Sequence, residues 1–134
     1  MRLLVRLVAV LAAASVVLTL FFIPGFASAG GLRALVTSGA LGVLTIVGWV
    51  ITLVMGPIAA VQLWRFRETG RRAGIIMFGY GLAYYLIGAL GLRSSEASIG
   101  QIVIAATIFA LPLIVLLSPR TRSLFAAVKS NTNR

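Results

Sequence analysis

The sequence contains no cysteine and no histidine, and only two of its 134 residues are acidic. A chain without these side chains forms no disulfide, has no thiolate nucleophile and lacks the commonest ligands of zinc. Glu68 and Glu96 both fall in predicted loops, so no carboxylate is expected at mid-membrane, where proton-coupled carriers usually need one. We therefore expect no metal, no cofactor and no catalytic residues, and a protein that is not an enzyme.

Charge is scarce as well. Only 10% of the residues are charged, whereas 60% are hydrophobic, and the mean hydropathy is +1.10. A soluble domain has about 25% charged residues, so this composition is typical of a membrane protein. The net charge is +10, but the cations lie at the ends of apolar runs, where membrane lipids with anionic headgroups are the natural partners. We expect no binding to nucleic acid.

The apolar runs predict the fold. Four of them are long enough for transmembrane helices, at about 4–23, 41–63, 73–92 and 99–117. The length allows one domain, so residues 1–134 are expected to form a single membrane domain. The predicted fold class is all-α, an integral membrane four-helix bundle.

The first run has two interpretations. It begins after Arg2 and Arg6, is apolar from Leu7 to Ile23, and is expected to end at Pro24 and Gly25. Ala27-Ser28-Ala29 matches the cleavage site of a signal peptide. However, the apolar run is 17 residues long, which exceeds the roughly 7 to 15 of a signal peptide. We favour a retained helix.

A basic segment at 65–72 separates the second and third runs and is predicted to be a cytoplasmic loop. If both termini and this loop are cytoplasmic, ten of the twelve basic residues lie inside and only Arg33 and Arg93 lie outside. We expect a plasma (inner) membrane protein with both termini in the cytoplasm and a basic cytoplasmic tail at 118–134. The arginines expected to contact headgroups and set the orientation are Arg65, Arg67, Arg71 and Arg72.

Local patterns add two expectations near the cytoplasmic face. If the basic loop is helical, Glu68 is spaced to pair with Arg65 and Arg72. In the tail, Ser123 to Val128 could form a brief amphipathic helix on the membrane surface.

Small residues recur along the second and third runs. Such stripes allow another helix to approach closely, so they predict an interface with a partner protein. Packing within the bundle itself is the alternative interpretation. The candidate interface residues are Gly48, Thr52, Gly56, Ala60, Gly74, Gly81 and Gly88.

Three tyrosines, Tyr80, Tyr84 and Tyr85, lie in the third run, and Tyr85 is too close to the middle of the run for an ordinary interfacial belt. A buried phenol needs a hydrogen-bond partner. These residues are candidates for contact with a lipid, quinone, pigment or other hydrophobic ligand. The alternative is a bond to a backbone carbonyl or to a hydroxyl of the bundle, such as Thr45, Thr52 or Thr107.

These observations favour a non-catalytic function. We expect an accessory, scaffold or assembly subunit that packs against a larger membrane protein complex or self-associates. The alternative is an oligomeric channel or carrier for a small or lipophilic molecule. A water-lined polar cavity across the bundle would favour the alternative.

The orientation is testable because the chain has no native cysteine. A membrane-impermeant thiol reagent added outside intact cells should label Ser95→Cys and spare Thr69→Cys, since only the first position is predicted to face outwards. The reverse labelling pattern would show that the orientation is inverted.

Overall fold

A computed structural model describes residues 1–91 and 99–132, and the predicted connection at 93–98, with Arg93 and Glu96, lies outside the described residues. The described chain is helical and contains no strand, which confirms the all-α prediction. Its helices are α1 (Arg2–Ser28), α2 (Gly31–Thr37), α3 (Ala40–Trp64), α4 (Glu68–Gly91), α5 (Ile99–Leu117) and α6 (Pro119–Thr132).

Two of these helices, α1 and α3, are long and apolar enough to cross a membrane, with mean hydropathies of 2.6 and 2.2. A third candidate arises if Thr107–Leu117 and Pro119–Val128, which meet at a bend of 56°, count as one span. The described residues therefore support two to three candidate spans in a membrane protein. Four spans remain a prediction.

The α1 helix does not end at Pro24, so this part of the sequence prediction is wrong. It continues to Ser28, and the amide of Ala29 still bonds to the Gly25 carbonyl at 3.2 Å. A proline removes one backbone donor, but a helix in an apolar surrounding keeps its other bonds because unpaired groups have no water to meet. Gly30, with φ of 77°, then turns the chain into α2.

The connection between α3 and α4 is also shorter than the predicted loop. Only Arg65–Arg67 separate the two helices, because α4 begins at Glu68. Phe66 adopts φ of 53°, and the Arg67 amide bonds to the Gln62 carbonyl at 2.8 Å. Gly70 then lies so close to the backbone of Gln62 and Leu63 that a Cβ atom would have no room.

The α3 helix packs against both α1 and α4, and α5 packs mainly against α4, with a smaller contact to α1. Buried side chains concentrate at the end of the bundle that holds the α3–α4 connection. They come from five helices and include Val5, Val8 and Ala12 of α1, Ala59 and Leu63 of α3, Ala73, Met77 and Phe78 of α4, Leu116 of α5 and Phe125 of α6.

The α6 helix closes this end and is longer than the predicted segment. Pro119 occupies its first position, and the Thr121 amide bonds to the Ser118 hydroxyl at 3.3 Å as in an ordinary helix cap. Thr121 is fully buried and donates to the Met1 sulfur at 3.4 Å. The Phe125 ring lies 6.4 Å from that of Phe66, so α6 is packed into the core.

The close approach at Gly70 yields a test with a matched control. Gly70→Ala should lower the free energy of unfolding by about 1–3 kcal/mol, since the new methyl group meets backbone atoms that cannot move independently. Gly79→Ala, also in α4, meets only Leu113 Cδ1 at 4.0 Å and should be neutral or stabilising by up to about 1 kcal/mol. Detergent unfolding followed by circular dichroism measures both, and equal effects would contradict the packing argument.

Candidate functional site

A cavity of about 240 Å³ lies between α1, α3, α4 and α5, beyond the buried core. It is partly open, and no charged side chain among the described residues lines it. The lining residues are Ser15, Thr19, Leu44, Thr45, Gly48, Trp49, Thr52, Met77, Tyr80, Gly81, Tyr84, Tyr85 and Phe109.

Seven of the lining side chains carry a hydroxyl group, and helical spacing brings them to the same place. Ser15 and Thr19 are four residues apart and share a face of α1. Thr45 and Thr52 are seven apart, almost two turns of α3, and the tyrosines supply the α4 wall. The cavity is therefore uncharged and mostly apolar, with hydroxyl groups from three helices in its wall.

Tyr80 and Tyr84 bridge α4 to α3 by hydrogen bonds. The Tyr80 hydroxyl donates to the Leu44 carbonyl at 2.6 Å. The oxygens of Tyr84 and Thr45 lie 2.7 Å apart, and the Thr45 hydroxyl also lies 2.9 Å from the Leu41 carbonyl. Both tyrosines thus have a partner of the kind named by the alternative interpretation, and both also line the cavity.

Tyr85 differs from the other two tyrosines. Its side chain is 41% exposed, and its ring lies 6.0 Å from that of Phe109 on α5. The exposure places it at the rim of the cavity, where it joins α4 to α5 through ring contact.

Trp49 lines the cavity and also belongs to an aromatic cluster. Its ring contacts Phe22 at 6.3 Å and Phe26 at 5.6 Å, both in edge-on geometry. Such aromatic pairs are favourable beyond their buried area. This cluster joins α1 to α3 beside the cavity, farther from the α3–α4 connection than the buried core.

The predicted small-residue positions contact helices of the same chain. A Cβ atom at Gly48 would lie 3.0 Å from Tyr80 Cε1, and one at Gly74 would lie 2.8 Å from Leu116 Cδ1. Gly56 approaches Val16 of α1, and Gly81 approaches the Phe109 ring.

The other stripe positions are placed as follows. Thr52 lines the cavity, with its hydroxyl donating to the Gly48 carbonyl at 2.9 Å. Ala60 is half-buried against the core. Gly88 belongs to α4 but lies outside the residues whose surroundings the structure describes.

The four predicted headgroup arginines do not share one environment. Arg65, Arg67 and Arg72 are exposed, whereas the Arg71 side chain is only 13% exposed. Arg71 donates to both oxygens of Glu68, at 2.6 Å in the shortest bond, and to the Leu116 carbonyl at 3.3 Å. Arg71 therefore connects the start of α4 to the end of α5.

Hydrogen bonding from Arg71 lowers the pKa of Glu68, which lies in the first turn of α4. The stabilisation by this pair is present above the ordinary carboxyl pKa and is lost as the pH falls through the lowered value. Arg72, at 3.7 Å from the same carboxylate, is the second partner.

The sequence reasoning missed part of the site. Ser15, Thr19, Trp49 and Phe109 line the cavity but were not among the candidate residues. A signal existed for the first two, because a pair of hydroxyl residues four apart is unusual in an otherwise apolar helix and marks one face. No sequence signal distinguishes Trp49 or Phe109 from packing residues.

The contact at Gly81 provides a test of the packing around the cavity. Gly81→Leu should lower the free energy of unfolding by about 1–3 kcal/mol, because the new side chain must displace the Phe109 ring. Gly25→Leu is the control, since nothing lies within 4 Å of a Cβ atom there. Thermal unfolding in detergent compares them, and an unchanged midpoint for Gly81→Leu would mean that α5 does not pack at this position.

Comparison with known proteins adds no assignment to this geometry. No family model matches the chain, and neither the curated proteins nor the solved structures contain a significant match.

Proposed function

We propose that the protein binds a small, uncharged and mostly apolar molecule from the membrane in this cavity, as a binding protein or carrier. The observation that carries the proposal is the convergence of hydroxyl groups from α1, α3 and α4 on a charge-free cavity of about 240 Å³. Ligand sites are typically concave and apolar, with a few polar groups that fix orientation.

The size of the cavity limits the ligand. A cavity of about 150 Å³ in a protein core accommodates benzene. A volume of about 240 Å³ therefore accommodates a head of one or two rings, or an aliphatic group of similar size. Because the cavity is partly open, a longer apolar tail can extend into the lipid.

The lack of charge limits the ligand further. An unpaired ion is costly in an apolar surrounding, so a neutral molecule is the better fit. The function proposed is non-catalytic, because a hydroxyl nucleophile requires activation by a base, and the chain has neither histidine nor cysteine.

The topology proposed with this function is a bundle of four spans in the plasma (inner) membrane, with both termini in the cytoplasm. Its support is the distribution of arginine and lysine between the ends of the apolar runs. In this arrangement the cavity lies within the bilayer, and the α3–α4 connection and α6 lie at the cytoplasmic face.

An accessory role beside a larger membrane complex is the second candidate. The stripes on α3 and α4 give it less support than expected, since Gly48, Gly56, Gly74 and Gly81 contact helices of this chain. A groove between α1 and α3 favours it instead, because Ala9, Ala13 and Ala60 there would let a partner helix approach closely.

The proposed binding is testable by extracting the protein into polymer nanodiscs with its native lipids. Mass spectrometry of the small molecules should show an apolar compound enriched with the unaltered protein. Thr52→Leu, which fills the cavity, should reduce that compound about tenfold if it costs about 1.4 kcal/mol of binding.

The matched control is Val54→Leu, which adds bulk at an exposed position of the same helix and should leave the compound unchanged. An equal small-molecule content in all three proteins would contradict the proposal. Loss of a co-purifying membrane complex on Ala13→Leu, with no effect of Thr52→Leu, would favour the accessory role.

A further inference from the structure

The serine and threonine hydroxyls of the cavity already donate hydrogen bonds to backbone carbonyls of their own helices. A hydroxyl has one proton and two acceptor lone pairs. The hydroxyls of Ser15 and Thr19 donate to the carbonyls four residues earlier, at 2.9 and 2.7 Å. The Thr52 hydroxyl does the same at 2.9 Å. None of these three groups can donate to a ligand without breaking a bond.

Tyr80 and Tyr84, which form the inner wall of the cavity, also donate their protons within the chain. Tyr80 donates its proton to the Leu44 carbonyl. The Leu41 carbonyl can only accept, so the proton of Thr45 belongs to it, and Tyr84 then donates to the Thr45 oxygen. This direction satisfies every group of the chain, whereas the reverse would leave the Tyr84 proton unpaired in an apolar surrounding.

The phenol oxygens of the inner wall can still accept hydrogen bonds. The oxygens of Tyr80 and Tyr84 each keep lone pairs, since neither accepts a bond from a residue that the structure describes. The Tyr85 hydroxyl has no partner among the described residues, but it belongs to the exposed rim. The Trp49 indole N–H also has no hydrogen bond among the described residues, but it lies on α3, within the aromatic cluster. The wall formed by Tyr80 and Tyr84 on α4 therefore offers acceptors and no free donor.

We propose that the cavity selects ligands whose buried head donates a hydrogen bond: a phenol, a hydroquinone or a small apolar alcohol rather than the matching ether or quinone. This inference rests on the proposed function and adds the chemical class of the ligand. At the wall formed by Tyr80 and Tyr84, an acceptor-only head must take a donor from an existing bond, whereas a donor head meets the free lone pairs of the two phenol oxygens directly.

The size of the preference follows from the net value of one hydrogen bond, which corresponds to roughly three- to tenfold in affinity. A pair of probes that differ only in this proton measures it. 4-Propylphenol and 4-propylanisole have the same ring and chain, and both are of a size that the cavity accommodates.

The fluorescence of Trp49 can measure the binding of these probes. It has two tryptophans, and Trp49 lines the cavity, whereas Trp64 does not. Trp64→Phe leaves Trp49 as the only tryptophan. In nanodiscs of phosphatidylethanolamine and phosphatidylglycerol, a change in the Trp49 emission of this variant then measures binding of the probe. Each dissociation constant is corrected for partition of the probe into protein-free nanodiscs.

The expected result is that 4-propylphenol binds three- to tenfold more tightly than 4-propylanisole. The preference should disappear in Tyr80→Phe/Tyr84→Phe, which removes both acceptor oxygens. It should persist in Thr107→Val, which removes an exposed hydroxyl of α5 outside the cavity.

The outcomes separate the two proposals. Equal affinities, or tighter binding of the anisole, would overturn the donor preference while leaving the binding function standing. Binding of neither probe would overturn the binding function, and the donor preference with it. A preference that survives in the folded double variant would overturn its assignment to the tyrosine oxygens. If the double variant does not fold, the ratio of the 4-propylphenol and 4-propylanisole affinities in the Trp64→Phe protein is the test of the donor preference.

Discussion

The structure depends on one constraint: a polar group that lies among hydrocarbon has no water to bond with and must find its partner within the chain. This constraint explains why α1 remains helical past Pro24 and why the hydroxyls of Ser15, Thr19 and Thr52 bond to their own helices. It also explains why Tyr80 reaches across to α3 for a backbone carbonyl. Polar side chains in this protein therefore join helices as well as lining a cavity.

Different interactions join the helices at the two ends of the bundle. At the end with the α3–α4 connection, Arg71 joins Glu68 to the last turn of α5, and the Arg6 guanidinium stacks over the rings of Trp64 and Phe66, at 5.2 and 5.7 Å. At the other end, the aromatic cluster around Trp49 joins α1 to α3 without any charge. The cavity lies beside this cluster, since Trp49 belongs to both.

The helical class was predictable because the apolar runs are long and almost free of charge. Helix ends were less predictable. Glu68 begins α4, so its partner is Arg71, three residues later on the same helix, rather than Arg65, which lies in the connection. The tyrosines were identifiable as an exception in an apolar run. The α1 wall was identifiable as a face through the Ser15 and Thr19 pair, but only the packing shows that this face lines the same cavity as the tyrosines.

The contact between Met1 and Thr121 joins two residues that are 120 positions apart in the sequence. Val5 and Phe125 belong to one buried core, so that core cannot close until α6 has been synthesised. Contacts of such long sequence separation form late, after the loop entropy of the intervening chain has been lost. During biosynthesis, α1 therefore remains incompletely packed until α6 has been synthesised.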